Sequence, residues 1–185
     1  MELLPAFQLG WLNGGLLLAL LVLTDGILFL LFQRGVVTRL FNRSGWTRRQ
    51  QVLTVLGKLL ALAVVIIIIL TPLKIGSSIF VAGLGLVVVG LIALVKALVD
   101  FRNTPPNLPT THGIYGFTRH PQNLASSVVI LGCTIAIGSW IALITFVVAR
   151  MLLHVNLVAE EEVCLREYGE VYRDYMTRVP RYFFL

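Results

Sequence analysis

Long uninterrupted apolar runs organise this chain. Leu3–Thr24, Leu59–Leu73, Ile75–Val95 and Pro121–Ala149 contain no Asp, Glu, Lys or Arg. A helix needs roughly 20 such residues to cross about 30 Å of hydrocarbon, whereas a membrane β-barrel would show short alternating segments. Backbone polar groups in lipid must be satisfied internally, so the runs predict helices. The first is expected over Leu9–Phe32, the second over Val52–Thr71 ahead of Pro72, and the third over Ser77–Val99. As one helix, the stretch from Pro121 to Val158 would be roughly 55 Å long. Gly138-Ser139-Trp140 near its middle, a helix-ending glycine before an interfacial aromatic, divides it into a hairpin. The expected fold is all-α: a polytopic membrane protein of about five transmembrane helices, the last two a hairpin, plus a C-terminal amphipathic helix. A single membrane domain, 1–185, holds a three-helix part over 1–99, then loop, hairpin and tail over 100–185.

Composition agrees, with 57% hydrophobic and 13% charged residues, far from the balance of a water-soluble domain. The net charge of +6 is a topology signal and not a nucleic-acid footprint. Arg34, Arg39, Arg43, Arg48 and Arg49 share the acid-free stretch Gln33–Gln51, which reads as a cytoplasmic loop under the positive-inside rule. The hairpin returns Arg166, Arg173, Arg178 and Arg181 to the same side, leaving the N-terminus outside and the C-terminus cytoplasmic. No basic leader precedes the first run, so it reads as a retained span and not a signal peptide. Cys133 and Cys164 have no CxxC spacing, and neither a disulfide framework nor a metal site is indicated.

Polar residues within these runs are the candidates for chemistry. Asp25 lies inside the first span, and pairing with Lys58 or Lys96 is the expected way to offset its charge. Arg150, His154 and Glu161 fall along one helical face of the fifth span. Three adjacent glutamates usually mark a solvated helix start, but Glu160-Glu161-Glu162 sit where a membrane helix meets water, and Val163–Tyr175 alternates apolar and charged residues as an interfacial helix would. Before the fourth span, the proline-rich loop Asn103–Asn123 ends in Arg119-His120-Pro121. Pro121 suits a first helical turn, which sets Arg119 and His120 at a helix N-terminus that attracts anions. A basic corner facing an acidic one suits a zwitterionic ligand.

In order, Gly113-Ile114-Tyr115, His120-Pro121, a helical hairpin, Glu160-Glu161 and Tyr168-Gly169-x-x-Tyr172 resemble the isoprenylcysteine carboxyl methyltransferase family, which is similar to the phospholipid N-methyltransferases. The resemblance covers roughly Asp100 to Arg181. It implies an integral membrane enzyme that binds S-adenosylmethionine on the cytoplasmic side and releases S-adenosylhomocysteine. Its cofactor residues would be Asn107, Leu108, Pro109 and Thr110, then Tyr115, then Arg119, His120, Pro121, Gln122 and Asn123, closed by Glu160 and Glu161. Asn156 stands where the family commonly has a substrate-meeting arginine, so Arg150, His154 and Asn156 are the substrate-binding candidates. The acceptor implied is a lipophilic or lipid-modified molecule, with isoprenylcysteine-type carboxyl O-methylation first and phospholipid amine N-methylation second. An amine acceptor would need a base, Glu161 or His120. Two other classes remain. Thr118–Gln122 also resembles the haem-binding zeta-carotene isomerase and NnrU group, with His120 or His154 as axial ligand. Gly10-x-x-x-Gly14 and Ala93-x-x-x-Ala97 would suit a packing scaffold.

Overall fold

The computed structural model describes residues 1–3, 5–40 and 46–183; Arg43 of the basic loop lies outside them. The chain forms helices α1 (Gly15–Leu31), α2 (Arg34–Leu40), α3 (Arg48–Leu70), α4 (Ser78–Arg102), α5 (Pro121–Ala136), α6 (Trp140–Tyr168) and α7 (Glu170–Arg178). A 3-10 turn, Gly113–Gly116, lies between α4 and α5. No strand occurs among the described residues. Helices α3, α4 and α6 are long and apolar enough to cross a membrane, while α1 and α5 are apolar but shorter, at 17 and 16 residues. The exterior is apolar too: Leu30, Val81, Ile92 and Met151 are exposed, as lipid-facing side chains are.

Local chemistry sets the boundaries. Thr47 and Gln50 close a reciprocal capping box that starts α3 at Arg48, ahead of the expected Val52. Gly138 takes φ +66° and ends α5, and the Ser139 hydroxyl accepts from the Ala142 N–H to open α6. The expected division of the long run therefore falls where the glycine stands. The first helix begins at Gly15 and not near Leu9, because the Asn13 side-chain amide donates to Gln8 O at 2.6 Å and Ile69 O at 3.0 Å. Those bonds hold the preceding segment extended across the end of α3. Further toward the terminus, Glu2 bonds to Gly138 and Trp140 backbone and to Lys74 at 2.6 Å. The basic loop contains α2.

Two tight helix pairs make the bundle. Helix α4 packs along α5 and α3 packs along α6, whereas α5 and α6 touch each other little. Glycines allow the first approach: a Cβ on Gly83 would lie 2.5 Å from Ala136 N and Gly132 O. The second pair is joined by Thr54 donating to Asn156 Oδ1 at 2.5 Å and Gln50 to Glu162 at 3.0 Å. Between the pairs, Leu17, Val64, Ile68, Val87, Val129 and Ile137 form the core near the α5–α6 turn. Further along, where α5 begins and α6 nears its end, the pairs diverge and leave a space.

Candidate functional site

The approach to α5 is built around a buried acid. Asp100 accepts from the Ile114 N–H at 3.0 Å and pairs with Lys96 one turn earlier. Gly113 above it takes φ +61°, and a Cβ there would collide with the Asp100 carboxylate, so this position requires glycine. The 3-10 turn that follows buries Tyr115, whose hydroxyl accepts from Gln122 at 2.8 Å and whose carbonyl accepts from the Tyr175 hydroxyl at 2.7 Å. Helix α5 then starts with Pro121 in its first turn and no side-chain cap on its N-terminal amides.

Opposite this corner, α6 does not restart at the three glutamates but runs straight through them to Tyr168. Glu161 is buried at 2% exposure and holds Arg181 through two hydrogen bonds of 3.0 and 2.6 Å, His120 Nε2 at 3.1 Å and Arg119 Nε at 3.3 Å. Its neighbour Glu160 is half exposed and stands 3.5 Å from His120 Nδ1. The C-terminal segment is strapped over this corner: Pro180 O accepts from the Arg119 N–H, Arg181 O from the Thr118 hydroxyl. The tail is no single amphipathic helix, since Gly169 at φ +55° breaks it between α6 and α7.

A cavity of about 520 Å³ occupies the space between the helix pairs. Leu108, Pro109, Thr110 and Tyr115 line it from the loop, and Arg119, His120, Pro121, Gln122 and Asn123 from the start of α5. Arg150 and Glu160 face it from α6, with Arg150 donating to Asn123 Oδ1. The basic and acidic corners thus open onto one space. Four expected site residues do not line it. Asn107 is exposed on the loop, and Glu161 lies behind Arg119 and His120 as their ion-pair partner. His154 hydrogen-bonds Tyr182 at 2.7 Å and stacks on its ring, and Asn156 faces α3 through Thr54. Asp25 lines the cavity and is not paired with Lys96, which bonds to Asp100. Tyr168 and Tyr172, quoted above only as part of the family motif, and Tyr175 also line the space; their i, i+4, i+7 spacing was the available signal. Burial holds the Tyr172 and Tyr175 hydroxyls well above the usual phenol range, so both are neutral.

Residues 72–171, more than half of the chain, match the phospholipid methyltransferase family. The chain belongs to that family. It is thereby a membrane methyltransferase, and methyltransferases of this family generally use S-adenosylmethionine. No curated protein and no solved structure matches the chain at a significant level. The match spans the loop, both corners of the cavity and the glycine break after α6, but neither α1 nor α3.

Electrostatics of this methyltransferase centre on His120. Burial disfavours its charged form, but hydrogen bonds to Glu160 and Glu161 outweigh that and raise its pKa above the ordinary 6.5. A raised folded pKa means that the imidazolium contributes stability fully below the unfolded value and loses it as pH rises through the folded one. Thermal stability in detergent is therefore expected to fall as pH rises above about 6.5, with a shallower fall in His120→Gln. Parallel profiles for the two proteins would overturn this account.

Proposed function

We propose that this chain binds S-adenosylmethionine between the α5 corner and Glu160 and methylates a lipophilic acceptor that enters the cavity sideways from the bilayer. One observation carries the reading: the loop before α5 and the acidic end of α6, far apart in sequence, line a single cavity. The donor set fits the cofactor. The buried Arg119 Nε lies near Glu161 but is misaligned for a hydrogen bond to it, leaving a donor without a partner. With the uncapped amides of α5, Arg119 would hold the methionine carboxylate. Glu160, half exposed, would accept from the amino group or the ribose hydroxyls, and Leu108, Tyr115 and Tyr168 offer apolar surface to the adenine.

When bound, the cofactor supplies an electrophilic methyl group on sulfur. The protein's task is then alignment and exclusion of water. His120 and Glu161 fix the corner, the C-terminal strap closes its outer side, and Phe29, Val64, Val65 and Phe146 keep the far arm dry. We propose that α1 and α5 lie in the bilayer with the three longer helices, as one membrane domain, and that the cavity mouth faces the cytoplasm. His120 and His154 are engaged by Glu160, Glu161 and Tyr182, which supports this reading over haem ligation.

Incubation of purified protein with methyl-labelled S-adenosylmethionine and a total lipid extract is expected to move label into the organic phase. Glu160→Ala should weaken cofactor binding by about 10- to 100-fold, the worth of one or two hydrogen bonds to a charged group. Its partial exposure means that at a pH where His120 is neutral thermal stability should stay within about 0.5 kcal/mol. A wild-type protein that neither binds cofactor by calorimetry nor transfers label would end the proposal.

A further inference from the structure

We propose that Asp25 is the acceptor-recognition residue of this cavity, its carboxylate receiving a basic nitrogen on the lipophilic acceptor. The inference rests on the methyltransferase reading and adds to it the residue that selects an amine over a carboxylate acceptor. Asp25 belongs to α1, outside the residues 72–171 that match the family, so membership assigns it no role. Its side chain lines the cavity together with Phe29, Val65, Leu98, Ser126 and Ile130. Around it, Leu21, Leu28 and Phe29 pack against Leu94, Leu98 and Ala125. Ala125 lies within one turn of Asn123, the residue that meets Arg150.

An ionised side chain at membrane depth faces a cavity or a partner, and Asp25 faces a cavity. Lys96, the nearby cation on α4, is engaged by Asp100. Among the described residues Asp25 has no ion-pair or hydrogen-bond partner. A cationic headgroup supplies the missing charge. A carboxylate acceptor, in contrast, would place like charges together in a low-dielectric cavity, and of the arginines lining it Arg150 already donates to Asn123 while Arg119 is paired with Glu161. The same carboxylate suits the chemistry that an amine requires. One N–H proton passes from the ammonium to Asp25, leaving a neutral amine with a free lone pair and a neutral carboxylic acid. The total charge of the pair is unchanged, and the nitrogen has become a nucleophile.

Binding alone tests this, with the full-length protein in phosphatidylcholine nanodiscs and two probes of equal chain length, dodecylamine and dodecanoate. The wild type is expected to bind the amine at least about tenfold more tightly than the acid. Asp25→Asn should erase that preference, Asp25→Glu should keep most of it, and affinity for S-adenosylmethionine and S-adenosylhomocysteine should be the same in all three. That constancy also reports that each variant is folded. Equal binding of the two probes by the wild type, a preference for the acid, or a preference that survives Asp25→Asn overturns the role of Asp25. So does a variant that loses affinity for S-adenosylmethionine but not for S-adenosylhomocysteine, because the carboxylate would then serve the sulfonium. Failure of the wild type to bind either nucleoside overturns the methyltransferase reading itself; normal nucleoside binding without amine preference removes the Asp25 inference alone.

Discussion

Replacing Glu161 by alanine is expected to unfold the corner that begins α5, and not merely to weaken ligand binding. The carboxylate is 3% exposed and sits among Arg119, His120 and Arg181. Removing it leaves Arg119, 11% exposed, as an uncompensated buried charge, and breaking a buried ion pair in this way costs about 3–5 kcal/mol. Arg181 is 27% exposed and can turn to solvent, which places the expected loss near the lower figure. Two further bonds depend on that arginine's position: the Thr118 hydroxyl to Arg181 O at 2.7 Å and the Arg119 N–H to Pro180 O at 3.1 Å. The strap should therefore loosen with the ion pairs. Thermal unfolding of Glu161→Ala in detergent, read beside Glu160→Ala, separates the two residues. Adjacent in sequence, one is expected to lower stability and the other to lower cofactor affinity at unchanged stability. Equal melting temperatures for Glu161→Ala and wild type would overturn the structural role given to Glu161.

That contrast marks how far the sequence could be read. Uncharged runs announced α3, α4 and α6 because lipid-facing helices advertise themselves by composition, and Gly138 announced the turn because a positive φ has a chemical signature. The three glutamates carry no such mark. Successive residues on a helix point about 100° apart, so Glu160, Glu161 and Glu162 face the cavity, Arg119 with Arg181, and Gln50 respectively. Which faces which depends on the rotation of α6, and that rotation is set by Thr54, Gly57 and Gln50 on a helix about 100 residues earlier. Asn156 illustrates the same limit, since its family position suggested a substrate contact while its rotation points it at Thr54. The motif residues at the start of α5 were legible because Pro121, Gly113 and their spacing are local. The extended segment ahead of α1 was not, because Asn13 and Glu2 find their partners on Ile69, Lys74 and Gly138.

A second large effect is expected at the α4–α5 seam, where the sign of a glycine-to-alanine change should reverse within two residues. Alanine in a helix interior is favoured over glycine by about 0.5–1 kcal/mol when nothing is in the way. At Gly85 no atom lies within 4 Å of the added methyl, so Gly85→Ala should stabilise slightly. At Gly83 the same methyl would sit 2.5 Å from Ala136 N and 2.5 Å from Gly132 O. Both are backbone atoms, which cannot swing aside as a side-chain end can, so the helices must separate. Overpacking of this kind costs about 1–3 kcal/mol, which exceeds the propensity gain, and leucine should cost more than alanine. Separation there reaches the site because α5 carries His120, Gln122 and Asn123 at its other end, and helix pairs in lipid are held by close packing of small residues. Gly83→Leu should therefore lose both cofactor binding and thermal stability while Gly85→Leu keeps both. Fluorescence-detected size exclusion after graded heating measures the difference, and indistinguishable curves for the two leucine variants would show that the seam does not hold the bundle together.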